Sequence, residues 1–270
     1  MEKMSRITFV LVILACLNHW CAASFQLNVD MPTLPNIIPI TKLPPGISTC
    51  VNTDLDISTC VKNKLKEMKP RLKNGFPELS IPPLDPLVIG SHKVEISDDF
   101  ASGYLNVHNL IIRGISESTV ENVKVEMYGD HVKLQLSTKL PSIEKQGAFQ
   151  GELTTEGMAL RPEGQFNSKL TDLQLDIEAE GDLTERDGHK YLRLKSFNVI
   201  PQIGDLKFEA NNLLPDAGLN SVILSVINSH WRSFYKLVVR ETRSTWEPIA
   251  LYVANAYLDA VPFDLFIDTP

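Results

Sequence analysis

The chain has 270 residues, 43% of them hydrophobic, and a formal net charge of −7. That apolar content can supply a real core. The acidic balance makes nucleic acid or an anionic membrane surface a poor partner.

The N-terminus reads as a secretory signal peptide over residues 1–23. Lys3 and Arg6 form a small positive region, Ile7 to Leu17 is apolar apart from Thr8, and Cys21-Ala22-Ala23 offers small residues just before Ser24. The apolar run is shorter than the roughly 20 residues a bilayer span needs, and no later run is long and apolar enough to be one. The expected setting is therefore secreted and extracellular. With residues 1–23 removed, which hold Lys3, Arg6 and Glu2, the net charge is about −8 and only Cys50 and Cys60 remain. In an oxidising space these two are expected to pair; two free thiols or half of a metal site are the alternatives.

Residues 24–47 carry Pro32, Pro35, Pro39, Pro44 and Pro45 and read as an extended, mobile arm. A helical period follows, with Ile57, Val61, Leu65, Met68 and Leu72 on one face and Lys62, Lys64, Lys66 and Lys69 between them. Pro70 should weaken its last turn and Gly75 should end it. The four prolines within 76–90 exclude a helix or a central strand there.

From about residue 91 to 210 the period is two. Val123, Val125 and Met127 alternate with polar neighbours, as do Val132, Leu134 and Leu136, then Leu173, Leu175 and Ile177, then Leu192 and Leu194. Gly129-Asp130 and Asp187-Gly188 mark hairpin turns. The pattern predicts antiparallel strands with one apolar and one wet face, which need a covering layer. That layer is a broad apolar stripe from Leu219 through Val222, Ile223, Val226, Ile227, Trp231, Phe234, Leu237 and Val238, resuming at Ile249, Val253, Ala256 and Tyr257. Asp216 is the expected N-cap, and Pro248 should kink or divide the helix. Continuous from 218 to 260, it would be roughly 65 Å long, too long for a flat sheet of short strands. A long curved sheet wrapped around it would bury both.

Catalytic and metal motifs are missing: there is no H-E-x-x-H, G-x-S-x-G, P-loop or G-x-G-x-x-G pattern. His92, His108, His131, His189 and His230 are scattered. Gly114-Ile115-Ser116 with Asp98 and His92 is the kind of trio any chain this long offers. The expectation is no enzyme, no cofactor and no metal. Phe149, Phe166, Phe208, Trp231 and Phe234 are either ordinary core or the lining of a ligand cavity, with Tyr104, Tyr128, His230 and Tyr235 as polar contacts.

Two groups of motifs bear on that choice. One is the Cys50/Cys60 pair and helix followed by Gly75-Phe76-Pro77-Glu78-Leu79 and Ile81-Pro82-Pro83-Leu84-Asp85-Pro86-Leu87. The other is Leu213-Leu214-Pro215, Asn228, His230-Trp231-Arg232, Phe234, Pro248 and the ending Val261-Pro262-Phe263-Asp264-Leu265-Phe266. Together they resemble the takeout/juvenile hormone binding protein family of insects, over roughly residues 46–270. The single cysteine pair is more like the takeout branch. The resemblance implies an α+β fold, a long C-terminal helix wrapped by a strongly curved antiparallel β-sheet that encloses a hydrophobic tunnel, as in the tubular lipid-binding superfamily. It implies a domain at 48–270 after the arm at 24–47, and a carrier for a juvenile-hormone-like isoprenoid, fatty acid, quinone or other lipid. Expected ligand contacts are Phe76, Leu87, Tyr104, Val125, Met127, Leu134, Phe149, Phe166, Phe208, Ile227, Trp231, Phe234 and Val238. The alternative is a secreted interaction or signalling protein that keeps the fold without an obligatory ligand and meets a receptor or protein partner through its surface, the proline arm included.

Overall fold

The computed structural model describes residues 26–29, 34, 36–43, 45, 47–51, 57–79, 81–97, 101–155 and 158–268. The expected signal peptide lies outside them. In chain order the elements are β1 (Gln26–Val29), β2 (Cys50–Val51), α1 (Ile57–Leu72), β3 (Leu87–Ile89), β4 (His92–Ser97), β5 (Ala101–Arg113), β6 (Thr119–Tyr128), β7 (His131–Thr155), β8 (Met158–Leu160), β9 (Glu163–Arg186), β10 (His189–Gln202), β11 (Asp205–Ala210), α2 (Ala217–Ser229), α3 (Trp231–Leu258), α4 (Phe263–Phe266) and β12 (Ile267–Asp268).

Two long strands, β7 of 25 residues and β9 of 24, pair antiparallel and form the spine. At about 3.3 Å per residue each is several times the length of an ordinary strand. One edge of β7 is shared by β6 on its first half and β5 on its second, while β8 pairs with residues 153–155 on the opposite edge, beyond the end of β9. The free edge of β9 is shared by β11 on its first half and β10 on its second. Both expected hairpin turns are present, with Tyr128 paired to His131 and Arg186 paired to His189.

The spine is bent at a waist. Leu140 pairs with Leu173 and Ser142 with Thr171, so Pro141 and Asp172 face each other outside the ladder. Proline has no N–H to donate, and Asp172 sits at φ 53°. The two dropped residues reverse the alternation in both strands. Before the waist the buried positions of β7 are even (Val132, Leu140) and beyond it odd (Ile143, Phe149); in β9 they are even (Ser168, Leu170) before Asp172 and odd (Leu173, Ala179, Leu183) after it. The outer strands change over at the same level. Between β5 and β6, Gly114 lies against β7, where a Cβ would come within 2.2 Å of Ser142 O. Its φ of 99° also suits glycine alone. Between β10 and β11, Gly204 N donates to the carbonyls of Thr171 and Asp172 (3.0 and 3.1 Å). Leu140, Ile143, Leu170 and Leu173 form a core cluster at the waist, with Ile112, Ile115, Ile203 and Leu206 against it.

The main strand order is β1-β4-β5-β7-β9-β10, and α3 touches both β10 and β1, the two ends of that order. The sheet is therefore curled until its edges flank one helix, without closing edge to edge. The helical stripe is divided at His230, not at Pro248. There α2 ends and α3 begins, and α3 runs on through Pro248. Pro248 is exposed, where water can satisfy the carbonyl its ring leaves unpaired. The break at His230 lies beside the waist, since Arg232 donates to Gly204 O (3.1 Å) and Tyr235 Oη to Pro201 O (3.3 Å). Two helices thus follow the two halves of a bent sheet. Asp216 caps α2 as expected, accepting from Leu219 N at 2.9 Å.

Asparagine side chains fasten these helices to strand backbone. Asn255 exchanges two bonds with Leu194 (N to Oδ1 2.8 Å, Nδ2 to O 3.0 Å). Asn228 does the same with Phe208 (2.7 Å each), and Asn220 accepts from Leu213 N (2.9 Å) and donates to Ala210 O (3.1 Å). Each satisfies strand groups that an edge would otherwise leave open.

The described part of the proline arm is docked. Its residues 26–29 pair with β4, Ile40 N donates to Ala260 O (3.0 Å), and Arg71 donates to Pro45 O. The Cys50–Cys60 disulfide is formed, joining β2 to α1, and β2 pairs in parallel with the C-terminal β12. Helix α1 lies at the free edge of β6, where Ser58 Oγ accepts from Val125 N (3.0 Å). The proline segment after α1 holds a short 3-10 turn, Pro77–Leu79, and the edge strand β3.

Candidate ligand-binding site

On the far side of the waist from the hairpins, the buried face is built in rows across the strands. One row runs Leu87, Ile112, Lys145, Ser168, Phe208 over β3, β5, β7, β9 and β11. On the waist side it is flanked by Ile143, Leu170 and Leu206, and on the other side by Gly147, Phe166 and Ala210. The next row holds Val107, Phe149 and Gly164. The three phenylalanines follow one another along this axis, Phe166 stacked on Phe208 with ring centroids 6.3 Å apart and Phe149 tilted against Phe166 at 6.5 Å. Two open recesses adjoin them. One, of about 610 Å³, is lined by Phe166, Gly147, Ala210 and Leu224 of α2 and, toward solvent, by Asn109, Gln146, Gln165, Asn167, Glu209 and Asn211. A second, of about 560 Å³, is lined by Phe149, His108 and Gly164 and by the polar Gln150, Glu163, Gln165, Asn211 and Asn212.

The expected contacts fall into separate places. Leu87, Phe149, Phe166 and Phe208 come together as just described. Val125, Met127 and Leu134 sit on the hairpin side of the waist, where Val125 pairs with Leu134 and Met127 with Val132. Trp231 is buried at the helix break, edge-on to Tyr235 at 6.4 Å, and Ile227 is half-buried on α2. Phe76 is almost fully buried in a local bridge with Ile81, with the Arg71 guanidinium 5.5 Å from its ring. Tyr104 has the opposite parity to Val107 and lies against the Lys93 ammonium at 5.2 Å, beside solvent-side Glu152. The side chains of Phe234 and Val238 lie outside the described ones.

The polar candidates are engaged elsewhere. Tyr128 is 64% exposed and donates to Glu126. His230 is exposed, with Nδ1 at 3.2 Å from Val226 O. Burial pushes the Tyr235 hydroxyl above the usual tyrosine pKa. The residue that sequence reading missed is Lys145. It is partly buried between exposed Glu144 and Gln146, and desolvation alone pushes its pKa below the usual lysine value. The reversal at Pro141 hides it, because a lysine beside glutamate and glutamine reads as solvent face until the register is known.

Ser116, imagined in a catalytic trio, donates from Oγ to Asp85 Oδ2 (2.6 Å), and Asp85 also accepts from Ser116 N and Gly114 N (3.0 and 3.1 Å). Burial raises the Asp85 pKa, but these bonds and the charge of Lys73 outweigh it and hold the carboxyl below its usual range. The group is a clamp on the β5–β6 changeover. Asp98 lies outside the described residues.

The fold and this face invite comparison with known proteins. The family model described as haemolymph juvenile hormone binding protein (JHBP) matches residues 24–268. The chain belongs to the JHBP family. The match begins at Ser24, so the proline arm is part of the family unit and the likeness reaches further toward the N-terminus than residue 46. The circadian clock-controlled protein daywake of Drosophila melanogaster is 19% identical over 230 residues, covering 79% of this chain and 85% of that protein. The crystal structure of Epiphyas postvittana Takeout 1 matches with a TM-score of 0.61 at 15% identity, over 83% of this chain and all of that one. At that identity the structural match shows the fold alone, and the fold is takeout-like. The JHBP description is that of a binding protein and not of an enzyme.

Proposed function

We propose that this protein is a secreted carrier that shelters one hydrophobic small molecule between the curved sheet and the α2–α3 pair. The observation that carries the reading is the buried face beyond the waist, where the rings of Phe208, Phe166 and Phe149 lie in contact one after another, Phe166 beside Leu224 of α2. Membership of a family described by hormone binding supports it. Secretion rests on the charged and apolar leader, on the family match beginning where that leader should be cleaved, and on a disulfide suited to an oxidising space. In this reading residues 1–23 are the signal peptide and 24–47 an arm built into the domain that follows.

Apolar burial supplies affinity without much selectivity. Each buried methylene contributes about 0.8 kcal/mol, so a dozen give about 10 kcal/mol gross. Association costs roughly 4–15 kcal/mol. A few buried polar groups must then set specificity. An isoprenoid, a fatty acid or a quinone meets the apolar requirement equally. The test is mass spectrometry of an organic extract of the protein secreted from eukaryotic cells, beside an unrelated secreted control. A stoichiometric lipid, or saturable uptake of an apolar fluorescent probe by the stripped protein, is expected. A clean extract with no probe uptake would overturn the carrier reading.

A further inference from the structure

We propose that Lys145 and Ser168 form the polar anchor for a lipid with a single carboxylate head, an inference that rests on the carrier reading above. The two residues are register partners in adjacent strands, and both fall on the buried parity, Ser168 with 8% of its surface exposed. Neighbouring sheet lysines on the solvent face are paired: Lys169 with Glu144 (2.9 Å), Lys133 with Glu180 (2.7 Å) and Lys207 with Glu209 (2.7 Å). Lys145 is different. Among the described residues neither its ammonium nor the Ser168 hydroxyl has a hydrogen-bond or ion-pair partner. Its row neighbour Ile112 packs against the waist cluster, and Phe208 lies beyond Ser168.

An ammonium drawn from water without a counter-charge is unfavourable. Desolvation already lowers its pKa. A carboxylate would supply the missing charge and accept from Ser168 Oγ in the same place. One cation beside one hydroxyl matches a monoanion; a phosphate monoester would bring more negative charge than the site can neutralise. The waist cluster stands on one side of the pair and the phenylalanine row on the other. A hydrocarbon tail anchored at Lys145 therefore extends along Phe208, Phe166 and Phe149.

The experiment is competition of oleate, methyl oleate and oleyl alcohol against an apolar fluorescent probe at pH 7.4, on the wild-type protein, Lys145→Met and Lys145→Arg. Wild type should bind oleate about tenfold or more tightly than the two uncharged analogues, the scale of one charge-assisted hydrogen bond. Lys145→Met should lose that preference while keeping its affinity for methyl oleate, and Lys145→Arg should retain it. Equal affinity of wild type for all three, or an oleate preference surviving in Lys145→Met, overturns the anchor and leaves the carrier intact. Wild type that takes up neither probe nor ester overturns both. The wild-type comparison decides the matter even if a variant does not fold.

Discussion

The two ends of the sheet are held in different ways. At the hairpin end, ties between distant parts of the chain accumulate: the Cys50–Cys60 disulfide, the β2–β12 pair, Asn255 on Leu194, Arg193 with Asp259 and His189 with Asp264 at 3.0 Å. At the phenylalanine end, α2 is held to β11 through Asn228 and Asn220, and open recesses adjoin half-buried Phe166 and buried Phe149. In the carrier reading, the hairpin end stays shut and the phenylalanine end admits the guest. Local stability varies across one structure, and binding regions come from its weaker parts.

The largest effect that would test the comparison is at Asn255. Replacing it with leucine leaves Leu194 N and O buried without partners and should cost about 3 kcal/mol, against about half that for Asn228→Leu at the half-buried position. Thermal melting of both variants decides; equal losses would erase the distinction between the ends. Removing the disulfide as Cys50→Ser with Cys60→Ser should cost about 2–3 kcal/mol by the loop-entropy estimate. Because the phenylalanine row lies across the waist, probe uptake by the folded double variant should be unchanged.

Asp85 tests the waist between them. Its folded pKa is depressed, so the folded state binds fewer protons than the unfolded one as acid is added. The resulting stability is present above the unfolded pKa and is lost as pH falls through the folded value. Asp85→Asn should lower stability at neutral pH by about 1–2 kcal/mol and flatten the acid side of the stability–pH curve. An unchanged acid limb in urea titrations would count against the clamp. Smaller still, Phe166→Ala should weaken probe binding about fivefold for roughly 1 kcal/mol of lost contact. Tyr104→Leu, on the solvent parity, should leave it unaltered, and a matching loss there would place the guest elsewhere.

Much of the architecture was legible in the residues. Glycine and aspartate at 129–130 and 187–188 specify tight turns by backbone freedom. Asp216 caps its helix because its carboxylate reaches Leu219 N. The family motifs pointed to the takeout-like fold that this chain shares with Takeout 1. The docking of residues 26–29 on β4 and of Ile40 on Ala260 was not legible, because proline spacing reports local stiffness and says nothing of what a segment packs against. The helix break was misplaced because proline is a local signal, whereas the division at His230 follows the bend of the sheet beside it.

The period-two pattern by itself determined that this chain makes antiparallel strands with one apolar face, since alternation is a local property of each strand. Which residues share that face beyond position 141 was decided only in the assembled sheet. Pro141 and Asp172 drop out of the ladder together, and losing one residue from each strand turns every later side chain to the other side. Lys145 reaches the buried face by that reversal, a consequence of pairing that no stretch of single sequence displays.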